Sequence, residues 1–314
     1  MADLAVVILT YNEQKHIERC IRSALPVAQQ VVVVDSFSSD RTPQIAESLG
    51  AEVHQNPWTN HATQLKWALE HVPMAADWIM RLDADEYITD ALAAELSQRL
   101  SGMPQDCSAL TVQRRMHFLG RWIKHGGVGE RSMLRIWRNG KARCEQRWMD
   151  EHMIIENGQV MALRGAIVDD NLNSLTWWID KHNTYASREV IDRLLRQTIG
   201  RDAADPAEAS FQSSPQAARV RWLKNRVYYR VPCYARASLY FAYRMFVRLG
   251  LLDGRRGLFF HFMQGWWYRM LVDAKLYEVQ WVARTQGLSL HEVVKARLGF
   301  DVPELKDAPN TRKT

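Results

Sequence analysis

A chain of 314 residues, 47% hydrophobic and 24% charged, is long enough to bury a large core, which excludes a disordered polymer and a small disulfide-stapled scaffold. Its four cysteines, Cys20, Cys107, Cys144 and Cys233, lie far apart with no C-x-x-C pair, a pattern that argues against a zinc site and for a reducing cytoplasm. The net charge of +6 is uneven: from Arg219 to Arg256 ten Lys or Arg stand against one acid, Asp253, so the rest of the chain is acidic.

The N-terminus "MADLAVVILTYNE" enters directly on an apolar strand pattern with no basic leader, so no signal peptide is expected. No apolar run approaches the ~20 residues of a spanning helix, and the chain is expected to be soluble or held at a surface. Residues 4–10, 30–36, 51–55 and 77–83 read as strands buried on both faces. Helical patterns lie between them, with Thr42 and Pro43 as N-cap and first-turn proline and Gly50 as C-cap glycine. This alternation predicts right-handed βαβ units and a mostly parallel α/β sheet, whose ligands belong beyond the carboxyl ends of the strands. There the chain places "TYNE" (10–13), "DSFSSD" (35–40) and "RLDADE" (81–86).

Another helix is expected to begin near Thr89. The segments "SALTVQRRMHFLG" and "RSMLRIWRNGKARC" then read as antiparallel strands, flanking a glycine-rich loop "HGGVGE" that is a candidate lid. "RWMDEHM" (147–153) precedes a further strand and a helix from about 174 to 198. Residues 201–218 form a polar, proline-containing linker, 219–300 a basic aromatic helical region, and 301–314 a flexible tail.

Several carboxylates at the end of one strand need a reason. Two of them about 4 Å apart repel by about 4 kcal/mol at an effective dielectric of about 20, and a cation relieves that. Asp83 and Asp85, two apart and so on one strand face, are candidate ligands for Mg²⁺ or Mn²⁺, with substrate phosphates completing the shell. The bland alternative is that the acids merely end a strand and favour the next helix. Asn12 is expected to cap the first helix, Tyr11 to offer a flat face to a base, and Glu13 and Asp35 to accept hydrogen bonds from a uracil or ribose edge. Asp150, Glu151 and His152 present two candidate bases with a neighbour able to orient one of them. His61, His117 and His125 are expected to be surface or hydrogen-bonded residues.

"VVILTYNEQKHIERCIRSA", "VVVVDSFSSDRT", "QLKWAL" and "RLDADE", in this order and spacing, resemble the family 2 glycosyltransferases, in particular the branch that includes lipopolysaccharide core glucosyltransferases. The resemblance is strong to about residue 100 and continues more weakly through "DEH" and "LTWWIDKHNTYASRE" to "RLGLLDGRRGL". It implies a GT-A fold over residues 1–200, a nucleotide-diphosphate sugar donor, a divalent ion, and inversion at the anomeric carbon. It further implies that Thr10, Tyr11, Glu13 and Asp35 hold the nucleoside, with Lys66 near the diphosphate, where the need to neutralise the leaving oxygens makes Arg81 a second candidate. Asp83 would then serve the ribose or the metal, Asp85 the metal, and the acidic pair Asp150 and Glu151 the base. The family commonly has Asn after that lysine, where Trp67 stands here, and its acidic pair is usually Glu-Asp rather than Asp-Glu.

The basic aromatic region suits an anionic membrane surface, with Arg236, Arg244 and Arg248 as contacts; RNA, the competing polyanion, is not expected as a partner. The resulting expectation is an enzyme at the cytoplasmic face of the bacterial inner membrane, peripheral or monotopic, acting on a lipid-linked glycan. The alternatives are a sugar-phosphate nucleotidylyltransferase, which would want a glycine-rich loop after the first strand, and a non-catalytic membrane adaptor of the same fold.

Overall fold

The short, β-branched run Leu4–Thr10 forms β1, and every one of its residues is buried. This requires cover on both faces. On one face Leu4, Val6 and Ile8 meet Ile17, Cys20 and Ile21 of α1 (Ile17–Ala24) and Leu92 and Leu96 of α4 (Asp90–Arg99). On the other, Val7 and Leu9 meet Leu65 and Ala68 of α3 (His61–His71). Such three-layer packing lets a parallel sheet bury continuous apolar strands.

The computed structural model describes residues 3–144, 153–155, 157–198 and 233–305. Two compact units divide the chain, Met1–Asn173 and Ser174–Thr314. The first is mixed α/β, with a large, mostly parallel sheet. Its remaining elements are β2 (Gln30–Asp35), α2 (Thr42–Ser48), β3 (Glu52–Gln55), β4 (Trp78–Asp83), β5 (Glu86–Ile88), β6 (Cys107–Phe118), β7 (Arg121–Trp122), β8 (Glu130–Arg138), β9 (Ala142–Cys144), β10 (Met153–Ile155) and β11 (Gln159–Asp170). The sheet order is β3-β2-β1-β4-β8-β6-β11-β5, with β7 on β6. Strands β3, β2, β1 and β4 are mutually parallel, β8 runs antiparallel between β4 and β6, and β5 is antiparallel at the far edge. Strands β9 and β10 pair separately.

Three local expectations are corrected. Strand β3 is not buried on both faces: it is the sheet edge, paired only with β2, and its polar residues are exposed or half-buried. Thr42 is the first helical residue of α2 rather than its cap, and Asp40 accepts its backbone N–H at 2.9 Å. Asn12 does not cap α1, whose N-cap is His16.

The second unit is helical. Ala186, Val190, Ile191 and Leu194 of α5 (Leu175–Thr198) pack on Val272, Val279 and Val282 of α8 (Tyr268–Gln286) and on Val293 and Val294 of α9 (Leu290–Leu298). The helix assigned by sequence to the transferase half thus buries its apolar stripe among the C-terminal helices. Before α8 come α6 (Cys233–Ala242), a π-helical turn Tyr243–Val247, a 3-10 turn Gly250–Asp253, α7 (Gly254–Phe260) and a π-helical stretch His261–Trp267. The sequence-assigned linker 201–218, the start of the basic region at 219–232 and residues 306–314 of the tail lie outside the described residues. No described helix is long and apolar enough to cross a membrane.

Two of the arginines assigned to a membrane are structural. Arg236 pairs with Asp273 of α8, which also accepts from Arg193 at 2.9 Å, and Arg244 is 2% exposed with Nη2 at 2.8 Å from His261 Nδ1. Each guanidinium satisfies a buried acceptor and is spent there; Arg248 alone of the three is exposed.

His182 gives this unit a pH dependence. Its ring stacks on Trp178 with centroids 3.4 Å apart and meets Tyr185 and Tyr268 edge-on, and burial lowers its pKa to about 4. The unfolded imidazole, near 6.5, takes up a proton first, so stability is full above that value and is lost as the pH falls toward 4. The ceiling is about 3 kcal/mol, and partial exposure brings the expected loss to about 1–2 kcal/mol. Urea unfolding at pH 7 and pH 4.5 should show that loss in the parent and a smaller one in His182→Gln; equal losses would refute the assignment.

Candidate active site

The register of the parallel strands sets their polar ends side by side. Thr10 lies opposite Asp35, Leu9 opposite Asp83, and Asp35 opposite Gln55, so β3, β2, β1 and β4 end together on one edge. Thr10 donates its hydroxyl to Asp35 Oδ1 at 3.0 Å, and Ser38 donates its backbone N–H to Oδ2 at 2.8 Å. A buried carboxylate held by such donors stays oriented. Next to it Tyr11 is 58% exposed, its ring open to solvent.

The loops that carry these residues are tied together. Asn12 adopts a left-handed conformation (φ 55°), where its side chain accepts the Ser39 N–H at 2.8 Å and its own N–H donates to the Ser38 hydroxyl at 2.8 Å. Glu13 donates its N–H to the Thr42 hydroxyl at 2.8 Å, and its carboxylate lies 2.6 Å from His16 Nδ1. The tautomer of that buried histidine follows from its other nitrogen: Nε2 accepts the Leu172 N–H at 2.8 Å, so the proton sits on Nδ1 and points at Glu13.

At the end of β4, Asp83 Oδ1 accepts from Arg81 Nε and Oδ2 from Arg135 Nη2, both at 3.1 Å. Burial opposes ionisation here, but Arg135, then Arg81 and His61, hold the carboxyl well below the usual carboxylate range. His61 thus lies near enough to the site to add to that pull when it is protonated. The expectation that Asp85 continues the same strand face is corrected, because the chain turns at Ala84 and Asp85 before β5 begins. Asp85 Oδ2 instead accepts from the Asn171 amide at 3.0 Å.

Glu86 turns inward. It is fully buried, accepts from Arg135 at 2.6 Å, and faces Arg114 at 3.4 Å. Burial, with Asp83 and Asp169 nearby, pushes its pKa up to about 8 against the pull of Arg135 and Arg114. Arg114 also pairs with Asp169, and Arg19 reaches Asp170 at 2.8 Å and the Asp85 carbonyl at 3.3 Å. The loop from Asp83 to Glu86 is thus clamped by arginines from β4, β6, β8 and α1.

Of the remaining predicted residues, Lys66 projects from the solvent side of α3, its amino group 3.7 Å from Glu70, and meets none of the others. Asp150, Glu151 and His152 lie outside the described residues, between β9 and β10 in the sequence. Sequence reasoning missed Arg135, Arg114, Asp169, His16 and Gln64. Gln64, buried on the apolar stripe of α3, joins Ser36 at 2.7 Å to the Asn56 carbonyl at 2.9 Å. A polar residue at an apolar position was the available signal, both there and at Arg135 within "MLRIW".

Among the described residues no group of three or more His, Cys, Asp or Glu is placed to hold a metal ion. Asp83 and Asp85 nevertheless fit a hard divalent cation of the Mg²⁺ type, which takes one or two protein carboxylates and draws its other ligands from phosphate and water. Arg135 keeps Asp83 ionised.

The family model for glycosyl transferase family 2 matches residues 5–170, which hold the site residues named above except Asn171 and Leu172. A Rickettsia bellii protein named "Uncharacterized glycosyltransferase" is 40% identical over 103 residues, 33% of this chain and 34% of the relative. The Rhizobium meliloti lipopolysaccharide core biosynthesis glycosyltransferase LpsC is 31% identical over 162 residues, 50% of this chain and 58% of the relative. The chain therefore spans about a third of the length of the rickettsial relative and under three-fifths of LpsC. Among solved structures, glucosyl-3-phosphoglycerate synthase from Mycobacterium tuberculosis matches at 20% identity and a TM-score of 0.31, over 36% of this chain and 44% of that one, a likeness too slight to transfer a ligand. The matched span covers more than half of the sequence and the whole carboxyl edge just described: the chain belongs to glycosyl transferase family 2.

Proposed function

We propose that this chain is an inverting, GT-A glycosyltransferase that moves a sugar from a UDP-linked donor to a lipid-borne glycan of the bacterial cell envelope, at the cytoplasmic face of the inner membrane. The observation that carries the reading is the register that lines up Thr10, Asp35 and Asp83 at the ends of three adjacent parallel strands. The name of LpsC supports a lipopolysaccharide core acceptor.

Tyr11 stacks on the base, and Glu13 and Asp35 accept from the uracil and ribose edges. His16 aims the Glu13 carboxylate, and Thr10 and Ser38 hold that of Asp35. Asp83 and Asp85 hold Mg²⁺ or Mn²⁺, which when bound supplies positive charge against the leaving diphosphate. Arg81 adds to that charge from β4; Lys66, on the solvent side of α3, is not assigned a part in it. One of Asp150 and Glu151 takes the proton of the acceptor hydroxyl on the far face of the sugar, with His152 as its neighbour.

The test is thermal stabilisation by UDP, GDP and UDP-glucose, each with Mn²⁺ and with a chelator. At about a hundredfold excess over Kd a ligand contributes about 2.7 kcal/mol, a shift easily read. UDP with Mn²⁺ is expected to stabilise, and the chelator to abolish the effect. If no nucleoside diphosphate raises the melting temperature, the reading fails.

A further inference from the structure

The tip of the second unit is built inside out. From Cys233 to Trp267 the sequence holds five arginines and a single acid, Asp253. That acid is buried, as are Arg244 and His261, and the three form a chain: Arg244 Nη2 donates to His261 Nδ1 at 2.8 Å, so the other ring nitrogen carries the proton that faces Asp253 Oδ2 at 3.3 Å. Glycines let the backbone close over this polar centre. A Cβ on Gly250 would stand 2.8 Å from His261 Cδ2, and one on Gly265 would stand 3.2 Å from Arg244 Cδ. Leu249, left-handed at φ 58°, turns the chain at the apex.

With the polar groups inside, the apolar ones face out. Phe246 and Val247 are each 67% exposed, Leu252 is 61% exposed, and Leu249, Leu251 and Phe259 join them. Scattered exposed leucines are ordinary, but a run of them over a buried Arg, His and Asp reverses the pattern of a water-facing turn. The outward charges of residues 243–262 are Arg248, Arg255 and Arg256, and no acid within that stretch is exposed. Two copies meeting through this tip would set arginine against arginine, whereas an anionic lipid surface complements the charge and the apolar side chains at once.

We propose that residues 243–262 form a preformed wedge that enters the headgroup region of a bilayer containing anionic phospholipid, the leucines and phenylalanines lying below the phosphates and Arg248, Arg255 and Arg256 among them. The wedge relies on the proposed function only for its purpose, which is to bring the chain to a lipid-borne acceptor. It relocates the expected membrane contact from Arg236 and Arg244, which serve the interior, to the apolar apex.

The experiment is co-sedimentation of the full chain with vesicles of phosphatidylethanolamine and phosphatidylglycerol, against vesicles of phosphatidylcholine. The parent should bind the former at least tenfold more tightly. Leu251→Ser/Leu252→Ser and, independently, Phe246→Ser/Val247→Ser should each lose at least tenfold. Arg255→Glu/Arg256→Glu should lose a similar factor at low salt. Tyr277→Ser, which removes a 64% exposed aromatic of α8, should bind like the parent. Equal binding to both vesicles, or tip variants that bind like the parent, would overturn the wedge. So would a concentration-dependent dimer in sedimentation velocity that the serine variants dissolve, since that result assigns the surface to a second copy. Stabilisation by UDP with Mn²⁺, measured on the same proteins, should survive every tip variant. It confirms that they fold, and it reports on the donor reading separately, so either inference can fail alone.

Discussion

Asp85→Asn should lower sugar-nucleotide turnover by about 10²–10³ while leaving the melting temperature of the unliganded protein nearly unchanged. The amide keeps an oxygen for the Asn171 side chain, which the carboxylate now accepts at 3.0 Å, so the turn after β4 is preserved and only the charge is removed. Asp85→Ala should lose turnover as fully and a little stability as well, because it also strands the Asn171 amide. The control is Asn171→Ala, which frees the carboxylate without discharging it and should cost far less activity. Retention of more than about a tenth of parental turnover by Asp85→Asn would remove Asp85 from the metal site, the expected effect being ten to a hundred times larger. The comparison discriminates because Asp83 already fills its own ligand position in the proposed site and cannot stand in for a second carboxylate.

The largest stability effect is expected at Arg135→Met. Its guanidinium is buried and bridges Asp83 at 3.1 Å and Glu86 at 2.6 Å. Removing one partner of a buried ion pair leaves the other charge without compensation, at a cost of about 3–5 kcal/mol. Methionine fills much of the volume, so the loss is electrostatic rather than a cavity and falls on the Asp83 charge; Glu86→Gln in the same chain should change it little, because Glu86, with its pKa pushed up to about 8, is already mostly protonated at pH 7 and more so without Arg135. Arg135→Lys should not rescue, since a single ammonium cannot fork between two carboxylates as the planar guanidinium does. Urea unfolding of the four proteins measures this, and a deficit below about 1 kcal/mol for Arg135→Met would show that solvent reaches the cluster. The same variant should weaken UDP and Mn²⁺ binding, because Asp83 loses the group that keeps it ionised and in place.

Much of the first unit was legible in the sequence. Strands β1, β2 and β4 follow from uninterrupted β-branched runs, and their polar ends follow from the rule for parallel sheets, so Thr10, Asp35 and Asp83 could be assigned to one edge without coordinates. Edge position was not legible: "AEVHQ" resembles the interior strands in length but not in burial, and only the sheet order shows that β3 has one neighbour. The arginine clamp was hidden for a similar reason. Arg114 and Arg135 lie 28 to 55 residues from the acids they hold, on strands whose placement in the sheet no local pattern specifies. Composition identified the basic C-terminal stretch, but charge counting does not distinguish an arginine bonded to a buried histidine from one in water. The helix from Leu175 was found correctly, yet its amphipathic stripe fits either unit, and its partners in α8 and α9 decided the matter.

The sheet order bears on how the protein is made. Strand β5, the short piece that fixes the turn carrying Asp85, pairs among the described residues with β11 alone, whose residues are synthesised some eighty positions later. Every family-defining stretch has thus left the ribosome well before the edge it belongs to can close. Contacts that distant in sequence are paid for late in folding, and they slow it. The nascent first hundred residues therefore carry the motifs without the finished edge, which closes only once β11 has been made.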